Sequence, residues 1–322
     1  MLKYDRTALR TYSMLGARGA FGLALNELAA ENEDILALSA DLCSTSGLDR
    51  FAQNYPTRFY NTGIAEQSLI GIAAGLAAAG YTPFATTFAN FAALRGCEQI
   101  RHYMGYMAEN VKVVGLSAGF AMGMFGITHY GLEDIAALRS IPNLTILSPA
   151  DSTETVKATL AAAAHKGPVY LRLTGGMNNP MVYKEDYTFT IGKAVTLQTG
   201  TDIALVGAGT MVAQCQKAAK LLAEKGVSCT IINMHTIKPL DTLALDSLLG
   251  HRLIVTAEEH SKIGGLGAAV AQHLAAKTAA PPLLTIGTED DYGHAGDYAW
   301  LLQHHGLTAD SIAAQITDFL GV

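Results

Sequence analysis

Helix-like stretches rich in small residues alternate with short, continuously apolar runs along most of the chain. Apolar residues recur with helical spacing over 7–31, and the run Asp34–Ser39 predicts a short buried strand. The alternation continues with a helix at Glu66–Ala79, a strand at Tyr81–Thr86 and a helix at Phe88–Tyr106. Strands that are apolar throughout and separated by helices predict a parallel sheet covered on both faces.

The alternation of predicted strands and helices is interrupted once along the chain. Up to residue 175 it predicts strands at Val111–Leu116, Leu144–Leu147 and Val169–Leu173, helices at Leu132–Arg139 and Asp151–His165, and a loop at 117–128. The stretch Gly175–Gly200 is rich in Gly, Asn and aromatic residues and breaks the pattern. Strands and helices then resume and end in a helix at Ser311–Leu320. We therefore predict two α/β domains, residues 1–188 and 189–322, each with a mainly parallel sheet flanked by helices.

Composition narrows the class of protein. The chain has 322 residues, of which 50% are hydrophobic and 16% charged, which excludes a disordered tail. Its net charge of −6 gives no reason to expect a nucleic-acid partner. The longest apolar run, Ile70–Gly80, is too short to cross a bilayer, and the four cysteines include no CxxC pair. We expect a cytoplasmic protein that binds neither membrane nor nucleic acid and holds no zinc.

Several residues are candidates for chemistry, although each has an ordinary structural explanation. Glu66 begins an Ala/Gly-rich helix, where an acid also suits the helix dipole. Phe88 and Phe91 are three residues apart, as in a core-facing helical stripe. His129 lies in a Gly/Met-rich loop, and His260 precedes a Gly-rich turn. Loop histidines are catalytic candidates, but exposed imidazoles are as common.

The order in which short segments around these candidates occur along the chain is more informative than any one candidate. Seven short segments occur in one sequence: Leu38–Leu42, Asn61–Gln67, Thr87–Phe91, Gly126–His129, Leu138–Asn143, Ser148–Asp151 and Glu258–Gly267. In this order they resemble the C-terminal half of a transketolase, that is, its pyrimidine-binding and C-terminal domains, over the whole chain. Each segment alone is weak, whereas the ordered set is specific.

The resemblance implies thiamine diphosphate as cofactor. It implies that Glu66 shares a proton with the aminopyrimidine of the cofactor and is catalytic. It also implies a pyrimidine pocket in which two aromatic residues hold the ring, Leu42 lies under the cofactor, an acid lies beside it, and the Glu66 segment contributes a further residue. These cofactor-binding positions are Asp41, Leu42, Ile64, Glu66, Phe88 and Phe91.

The substrate side of the resemblance is less complete. His129 matches a catalytic histidine that contacts the substrate near its reacting carbon, and Arg18 aligns with a basic residue of a phosphate site. Phe125 stands where the family has an acid, Ser117 where it has a second histidine, and Gly175 where it has a phosphate-binding arginine. The substrates implied are sugar phosphates, but the departures predict that the usual ones are not preferred.

Half of the cofactor site is missing from the sequence. The family binds Mg²⁺ and the diphosphate through a Gly-Asp-Gly segment and a downstream Asn, and this chain has no Gly-Asp-Gly. The resemblance therefore implies a separate transketolase N-terminal subunit that holds most of the metal site. It implies an α₂β₂ assembly in which two copies of this chain contact each other through both domains.

Two other functions share parts of this pattern. The β subunit of a 2-oxo-acid dehydrogenase has the same two-domain plan, and deoxyxylulose-phosphate synthase shares the Glu258–Gly267 type of segment. A non-catalytic partner that only regulates an intact enzyme is the third alternative. Retention of Glu66, Phe88, Phe91 and His129 argues against it, because a dead copy need not keep them.

Overall fold

A computed structural model describes residues 2–321; Met1 and Val322, the outer ends of the two predicted domains, lie outside the described residues. The helices are α1 (Arg6–Glu31), α2 (Asp49–Asn54), α3 (Glu66–Ala78), α4 (Cys97–Gln99), α5 (Asp134–Arg139), α6 (Ser152–Ala164), α7 (Met211–Glu224), α8 (Thr242–Asp246), α9 (Leu266–Leu274), α10 (Tyr298–His304) and α11 (Ala309–Leu320). Among these described helices, none is long and apolar enough to cross a membrane.

The strands form two sheets. They are β1 (Ile35–Ser39), β2 (Phe59–Asn61), β3 (Thr82–Phe88), β4 (Lys112–Ala118), β5 (Thr145–Leu147), β6 (Val169–Thr174), β7 (Val195–Gln198), β8 (Ile203–Gly207), β9 (Cys229–Asn233), β10 (Thr236–Lys238), β11 (Leu253–Ser261) and β12 (Leu283–Thr288). The first sheet has the order β10-β5-β6-β4-β3-β1-β2 and the second β12-β11-β8-β9-β7. All pairings are parallel except those of the edge strands β10 and β7. The predicted fold class, two α/β units with mainly parallel sheets, is confirmed.

One short strand links the two halves of the chain. β10 lies well beyond residue 188 but pairs antiparallel with β5 of the first sheet, with Thr236 opposite Leu147. The first sheet is therefore completed by a segment of the second half. The domain limits 1–188 and 189–322 stay a prediction.

The predicted helix at Phe88–Tyr106 starts one residue too early and is not a regular α-helix. Phe88 is the last residue of β3, the helical region begins at Ala89, and it contains π-helical stretches at Phe91–Arg95 and Ile100–Tyr106. Sequence spacing could not locate this switch, because Thr86, Thr87 and Phe88 suit a strand as well as a helix end. The remaining predicted elements of the first half agree with the structure to within about two residues, as is usual for element boundaries.

Strand register brings the candidate residues to one edge of the first sheet. β1, β3 and β4 are adjacent and parallel, with Ser39 opposite Thr86 and Phe88 opposite Leu116. Their carboxyl ends therefore lie side by side, which is where open α/β sheets bind ligands. The segments that follow β1, β3 and β4 carry the residues described next.

Candidate active site

Glu66 is a buried acid at the wall of a cleft. It is the first residue of α3 and is 5% exposed, and the cleft in front of it, about 520 Å³, is lined by residues 64–68 together with Leu94 and Arg95. Two side chains contact its Oε1: the Thr87 hydroxyl at 3.5 Å and the Arg95 guanidinium at 3.3 Å. Both contacts are long, so the carboxylate can accept a further hydrogen bond from a group in the cleft.

Three phenyl rings surround the imidazole of His129. The imidazole lies 5.5 Å from the Phe88 ring, 5.5 Å from the Phe91 ring and 5.1 Å from the Phe125 ring, measured between centroids. Phe88 and Phe91 are themselves 5.7 Å apart in an edge-to-face arrangement. The Phe88 and Phe91 rings therefore contact each other, as their three-residue spacing predicts, although Phe88 is the last residue of a strand and not part of a helix. His129 is held by its own loop through Thr128, whose hydroxyl lies 3.0 Å from Nδ1.

Asp41 lies in a tight turn after β1. Its φ of 59° is in the left-handed region, which Asp tolerates better than most residues. The turn is fixed by Asn61, whose Oδ1 accepts the Asp41 N–H at 3.1 Å and whose amide donates to Asp41 Oδ1 at 3.1 Å. The Asn61 Oδ1 also accepts the Gly63 N–H at 3.0 Å, which joins the turn to the Glu66 segment.

Leu42 and Ile64 differ in their surroundings. Leu42 is half-buried and packs against the same apolar cluster as Phe88 and Phe91. Ile64 lines the Glu66 cleft and is 75% exposed. An apolar side chain so exposed beside a buried acid is typical of a surface that another molecule covers.

Arg18 lies in a different cleft from Glu66. This second cleft, about 410 Å³, is lined by Leu15, Ser44, Thr45 and Met177 as well as Arg18. Burial lowers the pKa of the Arg18 guanidinium, and within residues 2–321 no carboxylate lies at ion-pair distance from it. A partly buried cation without an acidic partner suits a bound anion.

Phe125 is exposed to solvent, whereas Ser117 is buried. Phe125 is 63% exposed and packs on His129, in a loop that begins after β4. Ser117 is buried near the end of β4 with a left-handed φ of 53°, and among the described residues its hydroxyl has no hydrogen-bond partner. A strained residue with an unpaired polar atom at the carboxyl edge of a sheet indicates a functional position.

His260 belongs to the core and not to a loop. It is fully buried in β11, where its Nδ1 lies 2.7 Å from the Ser261 carbonyl and its Nε2 accepts the Ala136 N–H at 3.3 Å. The expected loop position of this histidine is therefore wrong, because it lies within a buried strand. The Gly-rich turn after it is needed for close packing: a Cβ on Gly265 would collide with the Glu258 carboxylate.

Two residues of the site escaped the sequence analysis. The Arg95 guanidinium carbon lies 3.8 Å from the centre of the Phe91 ring while the same side chain contacts Glu66. The Asn90 amide donates to the Thr128 carbonyl at 2.7 Å and so ties the end of β3 to the His129 loop. Only Arg95 has a sequence signal, because it lies four residues after Phe91 and so on the same face of a helical turn.

The metal half of a cofactor site has no counterpart in this chain. Among residues 2–321, no group of three or more His, Cys, Asp or Glu side chains could hold a metal ion. The Asp41 carboxylate accepts a hydrogen bond from the Asn61 amide.

Comparison with known protein families matches both halves of the chain. Residues 13–179 match the transketolase pyrimidine-binding domain, and residues 192–312 match the transketolase C-terminal domain. Together the two matches cover most of the chain.

Similar proteins have nearly the same length. The chain is 40% identical over 300 residues to the 6-deoxy-6-sulfo-D-fructose transketolase subunit SqwH of Clostridium sp. strain MSTE9, covering 91% of this chain and 92% of that protein. It is 36% identical over 310 residues to a subunit of the apulose-4-phosphate transketolase of Phocaeicola vulgatus, covering 96% and 98%. A solved structure described as a split gene transketolase, inactive beta4 tetramer, superposes with a TM-score of 0.85 at 40% identity, covering 94% of this chain and 97% of that one.

Proposed function

This chain belongs to the transketolase family, and we propose that it is the C-terminal subunit of a split, thiamine-diphosphate-dependent transketolase that transfers a two-carbon ketol unit from a ketose to an aldose. The observation that carries the proposal is the buried Glu66 at the cleft wall, beside the aromatic rings around His129. Two relatives that match most of this chain and most of their own length are named as transketolase subunits, which supports a transferase of this type. The test is a two-carbon transfer assay on the chain mixed with a transketolase N-terminal subunit, Mg²⁺ and thiamine diphosphate.

The residues present fit the aminopyrimidine end of thiamine diphosphate. Glu66 has free acceptor capacity toward an open cleft, and the Phe88 and Phe91 rings provide apolar faces for a flat heterocycle. Leu42 and Ile64 would add apolar contacts, and Asp41 would lie beside the cofactor. The diphosphate and Mg²⁺ would be held by the partner, because no metal cluster occurs in residues 2–321 of this chain.

When bound, the cofactor supplies a nucleophilic carbon and an electron sink for the two-carbon fragment. Glu66 would hold and share a proton at its carboxylate, as a buried general acid–base group does. His129 would contact the substrate and exchange protons with its oxygens. Its imidazole is suited to that role because it is kept in place by three aromatic rings and its own loop.

Apolar residues around the clefts support an assembly of several chains. Ile64, Leu94 and Phe125 are each more than half exposed although they border the proposed site. Exposed apolar side chains in one region usually mark an interface. We therefore propose that two copies of this chain pair through their pyrimidine-binding and C-terminal domains and bind two N-terminal subunits in an α₂β₂ enzyme. The similar split-gene structure is described as a tetramer of one subunit, which supports self-association.

We expect light scattering to give at least a dimer of the 33.9 kDa chain and a larger complex when the N-terminal subunit is added. The reason is that the exposed apolar side chains bordering the site lose contact with water on association. A control variant, Ile64→Glu, places a charge on this surface and should shift the equilibrium toward monomer. A monomer at every concentration, both with and without the N-terminal subunit, would refute the assembly.

The alternatives are weaker on the same observations. A deoxyxylulose-phosphate synthase half or a dehydrogenase β subunit would share the fold, but two relatives of which this chain covers more than nine tenths are named as transketolase subunits. A purely regulatory subunit would have no need of a buried acid open to a cleft. The exposed Phe125 beside His129 further suggests which sugars are used.

We expect the enzyme to prefer a ketose that lacks, or carries in another configuration, the hydroxyl that the family reads with an acid at position 125. A phenyl ring cannot accept a hydrogen bond, and a buried hydroxyl left without a partner costs about 1–3 kcal/mol, or roughly 5- to 150-fold in rate. The measurement is kcat/KM for xylulose 5-phosphate, its epimers, and deoxy and branched analogues. The Phe125→Asp variant should gain toward xylulose 5-phosphate by a factor in that range.

Met124→Asp is the matched control for this experiment. It adds the same charge one residue away, at an exposed side chain that makes no ring contact with His129. It should leave the order of substrates unchanged. If the unmodified enzyme already prefers xylulose 5-phosphate, and Phe125→Asp does not alter that preference, Phe125 does not determine the choice of substrate.

A further inference from the structure

The loop that carries Phe125 and His129 is closed at its base. Gly119 and Gly131 form an antiparallel bridge, in which each N–H donates to the other's carbonyl oxygen at 2.8 and 3.1 Å. We refer to residues 119–131 as the His129 loop. Because the loop enters and leaves through this bridge, whatever fixes the bridge also fixes where His129 lies.

A glutamate of the second half of the chain reaches the base of this loop. Glu259, in β11, is 1% exposed, and its Oε1 accepts the N–H of Phe120 at 2.6 Å. Its Oε2 accepts hydrogen bonds from the hydroxyls of Thr210 at 2.6 Å and Tyr298 at 2.7 Å. The carboxylate is therefore fully engaged, and it connects the loop to two other elements at short distance.

Close approach at this point requires glycine. Gly119 has a φ of +70°, and a Cβ there would collide with the Glu259 carboxylate. The Phe120 ring beyond it is fully buried, 5.0 Å from the Tyr130 ring and 4.7 Å from the His305 ring. The start of the His129 loop therefore packs closely against residues of the second half of the chain.

The far side of the loop rests on the same half. The Tyr130 hydroxyl donates to the His294 carbonyl at 2.7 Å, and the Gly296 N–H donates to the Gly123 carbonyl at 3.2 Å. Both ends of the His129 loop are therefore attached to residues that follow position 258. None of these residues lies in the proposed cofactor pocket.

We propose that Glu259 is a positioning residue of the transfer site, which holds the His129 loop in its productive position through the Phe120 N–H. The proposal rests on the proposed function for the claim that His129 contacts substrate. Catalysis is sensitive to such placement, since a shift of about 1 Å costs up to about 100-fold in rate. Glu259 acts through the loop and does not itself touch the reacting atoms.

The chain offers a matched control in Glu154. Its carboxylate is also fully buried and accepts hydrogen bonds from one backbone N–H, that of Ala150 at 2.6 Å, and from the hydroxyls of Tyr187 at 2.6 Å and Tyr183 at 3.1 Å. It differs in accepting one further group, the Asn233 side-chain amide, at 2.8 and 2.9 Å. Burial raises the pKa of both carboxyl groups. Its hydrogen bonds do not involve the His129 loop, so a substitution there removes a similar buried network without freeing His129.

The experiment compares Glu259→Met with Glu154→Met in three measurements: thermal stability, hydrogen exchange of the 119–131 amides in the purified chain, and kinetics of the reconstituted enzyme with the ketose that the unmodified enzyme uses best in the substrate panel described above. We expect similar losses of Tm. Only Glu259→Met should speed exchange across 119–131, by about 10-fold or more. It should also lower kcat/KM by about 10- to 100-fold while leaving the half-saturating concentration of thiamine diphosphate unchanged.

Equal behaviour of the two variants in exchange and in kcat/KM overturns the proposal, and so does a parallel loss of cofactor affinity in Glu259→Met. If Glu259→Met does not fold, Glu259→Asp takes its place, because a carboxylate one methylene shorter cannot span Phe120 and both hydroxyls. Absence of ketol transfer by the unmodified reconstituted enzyme refutes the proposed function, whereas the exchange measurement still decides whether Glu259 holds the loop.

Discussion

Replacing Glu66 by glutamine is expected to lower ketol transfer by the reconstituted enzyme by about 10²- to 10⁴-fold, the usual contribution of a general acid–base group. The amide keeps the size of the side chain and can still accept a hydrogen bond from the cleft. It cannot take up and return a proton, which is the role proposed for Glu66. The measurement is kcat under saturating thiamine diphosphate, together with Tm and the oligomeric size of the variant.

Glu98→Gln is the control for this prediction. Glu98 is an exposed acid of α4 that forms an ion pair with Arg101, just as Glu66 contacts Arg95. Its loss should leave turnover unchanged. If Glu66 served only to complement the dipole of α3, the glutamine variant would cost less than about 1 kcal/mol of stability and keep its rate. Turnover close to that of the unmodified enzyme would defeat the proposed role.

The purified chain alone is expected to transfer no two-carbon unit. Activity should appear only when a transketolase N-terminal subunit, Mg²⁺ and thiamine diphosphate are all present, and chelation of the metal should abolish it. The reason is that the chain lacks a Gly-Asp-Gly segment, and residues 2–321 contain no cluster of acids and histidines that could hold a metal. A cofactor held only by its pyrimidine end has nothing to neutralise its diphosphate.

This second prediction is measured by assaying each subunit alone, the mixture, and the mixture without metal or without cofactor. The Glu66→Gln chain serves as the control, since it should assemble with the N-terminal subunit but remain inactive. Steady turnover by the rigorously purified single chain would contradict the split-site proposal. The description of a similar solved structure as an inactive tetramer of one subunit supports the expected result.

Periodicity was sufficient for the architecture because both sheets are buried between helices. Fully buried parallel strands are mostly apolar, so β1, β4 and β6 are visible as largely apolar runs in the sequence, although Lys112 and Arg172 are buried within two of them. Short edge strands lack this constraint. β10 pairs only with β5, contains Lys238, and could not be recognised before the partner strand was known.

The residues of the candidate site also divide into those that the sequence predicts and those that it does not. Glu66 by itself is an ordinary acid in the first turn of a helix, and only the ordered motifs single it out as a candidate for catalysis. The ordered motifs placed Phe88, Phe91 and His129 in one group, and their ring contacts agree with it. Arg95 was missed because its contact with Glu66 spans 29 residues and depends on a π-helical turn.

Periodicity in the sequence predicts most of the helices and buried strands, and the ordered motifs predict which residues form the candidate site, because both are patterns among residues that lie near one another in the chain. The roles of residues that contact each other across long separations in the sequence follow only from the tertiary structure. His260 became a core residue because β11 extends to Ser261, and Glu259 became a support of the His129 loop because β11 places it against Phe120, 139 residues away. A hydrogen bond across that separation leaves no local pattern, because its partners are selected by the packing of the two halves and not by their neighbours in the chain.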